Sequence, residues 1–297
     1  MKNRWPHCAA IAAVCMLSAA LLGPGSTPAQ GTAAPAGTLA EAAEIEAQRL
    51  RPMCRQLLEE LLEKGGDFGG YGAAAWSLLD ELEPSAAEMG QLMEAELHSG
   101  LDPGALGAAE AFLATEAGRK MLWLGRESVS TSGRRGLARS ARDVVGQFSP
   151  ERQERVRELD AAFFESRTTA DVAAVLFGIV QATADRVQAA VPEDAEWAEE
   201  PSDILRWIEE DLASATLQEL GYRTSRFSDD ELLEVLNFAR SSAGQAYFAA
   251  RYNASVSVAH TVVERLLPKL DQGLRDELWE YLREREGEEE QDEGDGP

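Results

Sequence analysis

Two stretches decide the reading of this chain: FLATEAGRK, from Phe112 to Lys120, and FARSSAGQA, from Phe238 to Ala246. Both spell Phe-x-x-Ser/Thr-x-Ala-Gly-Arg/Gln. Each is preceded by a helix start of one design. Leu101 comes before Asp102-Pro103-Gly104-Ala105-Leu106, and Phe227 before Ser228-Asp229-Asp230-Glu231-Leu232. Asp102 and Ser228 are N-cap residues, whose side chains accept from N–H groups that the first helical turn leaves unpaired. Pro103 suits the first helical position, and Ser228 with Glu231 spells a capping box. Leu101 with Leu106, and Phe227 with Leu232, have the spacing of a hydrophobic staple.

From these starts the pattern predicts helices running to Phe112 and Phe238. Thr115 and Ser241 then end one helix and cap the next, which places Gly118 and Gly244 inside the first turn of the new helix. Glycine costs a helix interior about 1 kcal/mol against alanine. Its use at the same point of both stretches predicts close packing against the preceding helix, near the phenylalanine. Each stretch therefore reads as a tight αα-corner, and their recurrence as an internal duplication.

Outward from the corners the pattern stays helical. Apolar residues recur at three- and four-residue spacing, as in Leu57, Leu58, Leu61 and Leu62, or Ile204, Ile208 and Leu212. Gly, Pro and Ser punctuate it in KGGDFGGYG at 64–72, EPS at 83–85 and STSGRRG at 130–136. The expected class is all-α, with a first helical unit at 39–148, a connecting helix at 149–166 capped by Ser149-Pro150-Glu151, and a second unit at 167–285. Thr168 or Thr169 is expected to open the apolar helix TADVAAVLFGIVQATADRVQAAV, and a last helix to run from Leu270 to Arg285. The tail 286–297 holds seven acidic residues and no apolar or basic ones, a composition expected to stay disordered.

A start Phe-Ser-x-x-Glu-Leu, then Phe-x-x-Ser-x-x-Gly and a long helix, resembles the bacterial family known as domain of unknown function 2059. FSDDELLEVLNFARSSAGQAY carries the closer likeness, and the copy around 85–145 is more divergent. In that family a proline often follows the corner serine; Glu116 and Ser242 stand at that place here. The resemblance implies small helical domains, usually exported and without an established activity, and supplies no catalytic residues.

The chain of 297 residues carries 28 basic and 52 acidic side chains, a net charge of −24. Such a surface repels phosphate backbones and anionic lipid, which argues against nucleic-acid binding and polybasic membrane docking. At the start, Lys2 and Arg4 precede the apolar run CAAIAAVCMLSAALLG, and Thr27-Pro28-Ala29 ends it with small residues where a signal peptidase cuts. The run is shorter than the roughly 20 residues that span a bilayer. Residues 1–29 therefore read as a cleaved signal peptide and 30–38 as a flexible leader, with no stable membrane insertion afterwards. The expected location is the periplasm, with secretion as the alternative.

Beyond the leader Cys54 is the one cysteine, within an amphipathic pattern that favours a buried structural thiol; an intermolecular disulfide is the other reading. His98 and His260 show no metal-ligand spacing with it or with each other. His98 reads as a histidine at a helix C-terminus, and His260 as a core or boundary residue. Trp76, Trp123, Trp197, Trp207 and Trp279 read mainly as core. The acidic residues are too many for one carboxylate pair to stand out, and no nucleophile elbow, phosphate loop or dinucleotide fingerprint occurs. No catalytic residue, cofactor or metal site is assigned; the residues singled out are structural, namely Asp102, Phe112, Thr115, Gly118, Ser228, Glu231, Phe238, Ser241 and Gly244. The expected function is a non-catalytic interaction or structural role with an unknown partner protein of the bacterial envelope. The alternatives are a hydrolase using carboxylates in a cleft between the units, and a carrier of an apolar ligand. N-terminal sequencing of exported protein should find Gln30 first or a site within a few residues; an intact Met1 would contradict the signal peptide.

Overall fold

Helix starts in this chain are fixed by short polar side chains that satisfy the first N–H groups. Thr38 accepts from Glu41 N–H at 3.1 Å, and Asp102 from Gly104 and Ala105, both at 2.8 Å. Ser149 accepts from Arg152 at 3.2 Å, while Ser85 with Glu88 and Ser228 with Glu231 form complete capping boxes. The computed structural model describes residues 38–66, 73–79, 84–129, 141–190 and 197–294, with the backbone alone for 129, 190, 278, 280–282 and 284–294. The signal peptide read at 1–29, the leader up to residue 37, the turn from 67 on and the loop at 130–136 lie outside the described residues.

Every regular element among the described residues is helical, as the sequence predicts. In chain order they are α1 (Leu39–Gly65), α2 (Ala73–Ser77), α3 (Ala86–Gly100), α4 (Pro103–Leu113), α5 (Glu116–Val129), α6 (Pro150–Phe163) and α7 (Glu165–Ala190). Then follow α8 (Pro201–Trp207), a π-turn (Ile208–Leu212), α9 (Ala213–Thr224), α10 (Asp229–Arg240) and α11 (Ser242–Gly294). No described helix is long and apolar enough to cross a membrane.

Four helices close a ring: α1 packs on α3, α3 on α11, α11 on α7, and α7 back on α1. Leu50, Leu58 and Leu61 of α1, Met89 and Met93 of α3, Val172 and Leu176 of α7, and Val258 and Val262 of α11 are buried in one continuous cluster. The units read at 39–148 and 167–285 thus share a core, because each unit's apolar stripe is covered by helices of the other. Helices α4, α5, α6, α9 and α10 pack around the ring.

The two corners fold alike, atom for atom. Thr115 N–H donates to Phe112 O and Ser241 N–H to Phe238 O, both at 2.9 Å. Thr115 Oγ1 accepts from Gly118 N–H at 3.1 Å, and Ser241 Oγ from Gly244 N–H at 3.0 Å. Arg119 reaches back to Ala114 O at 2.8 Å, and Gln245 to Arg240 O at 3.3 Å. A Cβ added to Gly118 would sit 2.1 Å from Phe112 O, and one added to Gly244 would sit 1.9 Å from Phe238 O. This backbone contact is why glycine stands there despite its helix cost.

The corners also meet. Phe112 and Phe238 stack with centroids 4.0 Å apart and planes 5° from parallel. Lys120 Nζ, just past the first corner, bonds Glu231 at 2.6 Å, and Glu231 also accepts from Ser228 N–H at 2.7 Å in its capping box. Phe112 is buried, but Phe238 is only half-buried.

Three boundaries differ from the sequence reading. Helix α7 starts at Glu165, with Thr168 and Thr169 inside it, because one residue makes the break: Phe164 takes a left-handed conformation (φ 58°, ψ 27°) between α6 and α7. No separate last helix starts at Leu270, since α11 is continuous from Ser242. Pro268 lies within it but does not break it, as Leu266, Leu270 and Leu274 anchor both sides in the core. The backbone stays helical through Gly294 instead of stopping at Arg285, in keeping with the good helix propensity of glutamate.

These contacts fix the sign of two substitutions. Gly244→Ala should lower stability by about 1–3 kcal/mol through overpacking, although alanine is the better helix former. Phe112→Ala should cost about 3–5 kcal/mol, and the half-buried Phe238→Ala less. Denaturant melts check all three, and a stabilised Gly244→Ala would overturn the close-packed corner.

Candidate functional site

An aromatic run leads from the corners into the interior. Phe238 meets Phe248 edge-on at 6.1 Å, and Phe248 stacks on Phe163 at 4.2 Å. The guanidinium of Arg251 lies over both of the latter rings, at 5.3 and 5.6 Å. On its other side begins a buried cluster of five ionisable residues drawn from four helices: Glu46 and Arg49 of α1, Glu165 of α7, Arg223 of α9 and Arg251 of α11.

Glu165 is the hub. Its position follows from the left-handed Phe164, which turns the chain so that the first residue of α7 points inward, 2 % exposed at the side chain. Arg49 Nη1 lies 2.9 Å from Oε2, Arg251 Nη2 donates to Oε1 at 2.9 Å, and Arg223 Nη2 approaches Oε2 at 3.4 Å. Arg251 also donates to Phe163 O at 3.1 Å. Glu46 is held by Arg49, whose Nε and Nη2 both donate to Oε1 at 3.1 and 2.5 Å, and lies 4.0 Å from Arg251.

Burial by itself would raise the pKa of both carboxyls, but the guanidiniums outweigh it. Arg49, Arg223 and Arg251 hold Glu165 well below the ordinary carboxylate range, and Arg49 and Arg251 lower Glu46. The N-terminus of α7 adds its own positive potential at Glu165. Burial likewise opposes the charge on Arg49, and Glu165 and Glu46 reverse that effect. Nearby, burial pushes the Tyr247 hydroxyl up to about 12. Asp160 goes the other way: burial raises it, against the hydrogen bonds it accepts from Ser166 N–H and Oγ–H, both at 2.9 Å.

The cluster borders a cavity of about 70 Å³. Besides Thr224 and Tyr247, its remaining wall is apolar and includes Ile45, Leu122, Leu220, Phe227, Leu232 and Val235. Chemically, the arrangement suits the pairing of charge more than proton transfer. A general acid needs a raised pKa and a base one near neutrality, whereas both carboxyls here are depressed and guanidinium does not deprotonate.

The structure brings together the corner residues singled out from sequence and leaves the other candidates apart. Cys54 is fully buried, and burial pushes its thiol up to about 12, which leaves little thiolate. His98 sits in the last turn of α3, its Nδ1 2.8 Å from Glu94 O. His260 is exposed on α11, contrary to the core or boundary expectation, because it lies on the side of the helix opposite the buried Val258 and Val262. Trp76, Trp197 and Trp207 pack against the core, but Trp123 and Trp279 are 51% and 64% exposed. The cluster itself escaped sequence reasoning. Its one local signal was charge on an apolar stripe: Glu46 and Arg49 between Ile45 and Leu50, and Glu165 after two phenylalanines.

Comparison of the chain with known protein families, with curated proteins and with solved structures returns no match.

Removing one member of the cluster leaves an unpaired buried charge. Glu165→Gln should cost about 3–5 kcal/mol. Because Glu165 and Glu46 are depressed, their contribution is complete above the unfolded carboxylate value of about 4.3 and is lost as pH falls below it. Asp160, being raised, works in the opposite sense, in the range above its own unfolded value of about 3.9. Melting temperatures from pH 7 to 3 should fall steeply for the parent chain and less steeply for Glu165→Gln.

Proposed function

We propose that this chain is an exported, non-catalytic helical protein of the bacterial cell envelope that presents its surface to another envelope protein. The observation that carries the reading is where the charges are. The most deeply buried ionisable groups pair with one another around Glu165, while a net charge of −24 is left overwhelmingly to the surface. Interior charge serves the fold, and surface charge is what a partner meets; a cationic partner face fits it. The matched hydrogen bonds of the two corners support reading them as an internal duplication, and with it the likeness to the family of unknown function 2059.

Neither alternative gains from the geometry. A hydrolase with a carboxylate pair needs one raised carboxyl beside an ionised one, and the pair lining the cavity is depressed on both members. A carrier of an apolar ligand needs a larger space, since an engineered cavity that takes up benzene measures about 150 Å³.

The test is crosslinking in intact cells that express the chain with its own leader, followed by fractionation and mass spectrometry. One envelope protein should be recovered reproducibly, and its recovery in solution should fall as salt is raised from low to moderate ionic strength. Hydrolysis of an ester or glycoside by purified protein, abolished by Glu165→Gln with the fold intact, would overturn the proposal in favour of the enzyme.

A further inference from the structure

Arg223 differs from the other members of the cluster. Its Nε and Nη2 form the planar edge with which Arg49 grips Glu46 and Arg157 grips Glu154. In Arg223 both atoms are buried, and neither finds a hydrogen-bond acceptor among the described residues. Glu165 Oε2 lies 3.4 Å from Nη2 and Glu219 Oε1 3.9 Å from Nε, beyond good hydrogen-bond length. The cluster sums to one positive charge, with three guanidiniums against two carboxylates. Glu219 stands at its rim with a third of its side chain in solvent, so its charge is screened. Asp160 also faces Arg223 and Glu165, but it bonds Ser166 and not the Arg223 edge.

Buried guanidinium donors without an acceptor are costly unless an anion joins them. A guanidinium edge with two parallel N–H donors matches the two oxygens of a carboxylate. The apolar part of the lining, with Leu220, Phe227, Leu232 and Val235, suits a short alkyl group. A cation would add to the excess, and a polyanion would overshoot it beside Glu165. We infer that this cavity is a binding site for a small monocarboxylate of the size of acetate or propionate, gripped by the Nε–Nη2 edge of Arg223 with its alkyl end on the apolar wall. The inference is independent of the envelope role proposed above.

The experiment is thermal unfolding of the whole chain without its leader, at constant ionic strength, in acetate, propionate, chloride or gluconate. The melting temperature should rise with the logarithm of acetate or propionate concentration, as for a ligand that binds the folded state alone. Gluconate, too large for the cavity, should have no such effect. Equal melting temperatures in all four salts would mean that only water fills the cavity and would overturn the site. An equal rise in chloride would overturn the carboxylate assignment. Arg223→Lys keeps the charge but removes the planar edge, and should weaken acetate binding about tenfold or more by titration calorimetry; unchanged binding would sink the proposal. Should that variant fail to fold, Val235→Leu narrows the cavity from its apolar side and should abolish the propionate response, whose persistence would equally overturn it.

Discussion

The fold depends on keeping one carboxylate ionised where water does not reach it. Glu165 stands where α1, α7, α9 and α11 come together, and an unpaired charge there would cost several kcal/mol. Three arginines on three different helices meet that cost, so each of those helices is fixed in register by the same two oxygen atoms. Apolar packing alone tolerates many small slips between helices; a hydrogen-bonded charge does not. The stacked rings of Phe163 and Phe248 under Arg251 extend this constraint toward the corners. What holds the ring of helices in one arrangement is therefore partly polar.

The corners show the same economy in a smaller space. Gly118 and Gly244 each let a helix start within contact of the carbonyl that closed the previous one. The threonine or serine before them serves both helices, through its backbone N–H and its side-chain oxygen. Because both corners turn in this way, Phe112 and Phe238 arrive face to face, and Glu231 both caps α10 and receives Lys120. The chain thus uses two similar turns as the two halves of one contact.

The parts of this structure that were legible in sequence are those governed by local rules. Caps at Asp102, Ser149 and Ser228, the glycines of the corners and the three- and four-residue apolar spacing each depend on neighbours within one turn. The left-handed Phe164 was not legible, since a bulky residue is an unusual choice for that conformation and only tertiary packing enforces it. The continuous α11 was missed because Pro268 reads as a stop, and only the leucines packed on either side overrule it. The charge cluster was hidden for a related reason. Its members are ordinary arginines and glutamates of amphipathic helices, and no rule of spacing joins Glu46 to Arg251 until the chain has folded.

That last pairing bears on how the protein is made. A chain emerging from a ribosome normally folds its N-terminal part first where that part can close by itself. Here the first unit contains Glu46 and Arg49, whose partners Glu165 and Arg251 lie in segments synthesised much later, the last of them in the final helix. Until that helix is out, the Glu46–Arg49 pair of α1 lacks its partner Arg251, and the apolar stripe lacks its full cover. The nascent chain must therefore wait, open and exposed, for its own C-terminal helix, and a truncation before Arg251 leaves the first half as unable to close as the second.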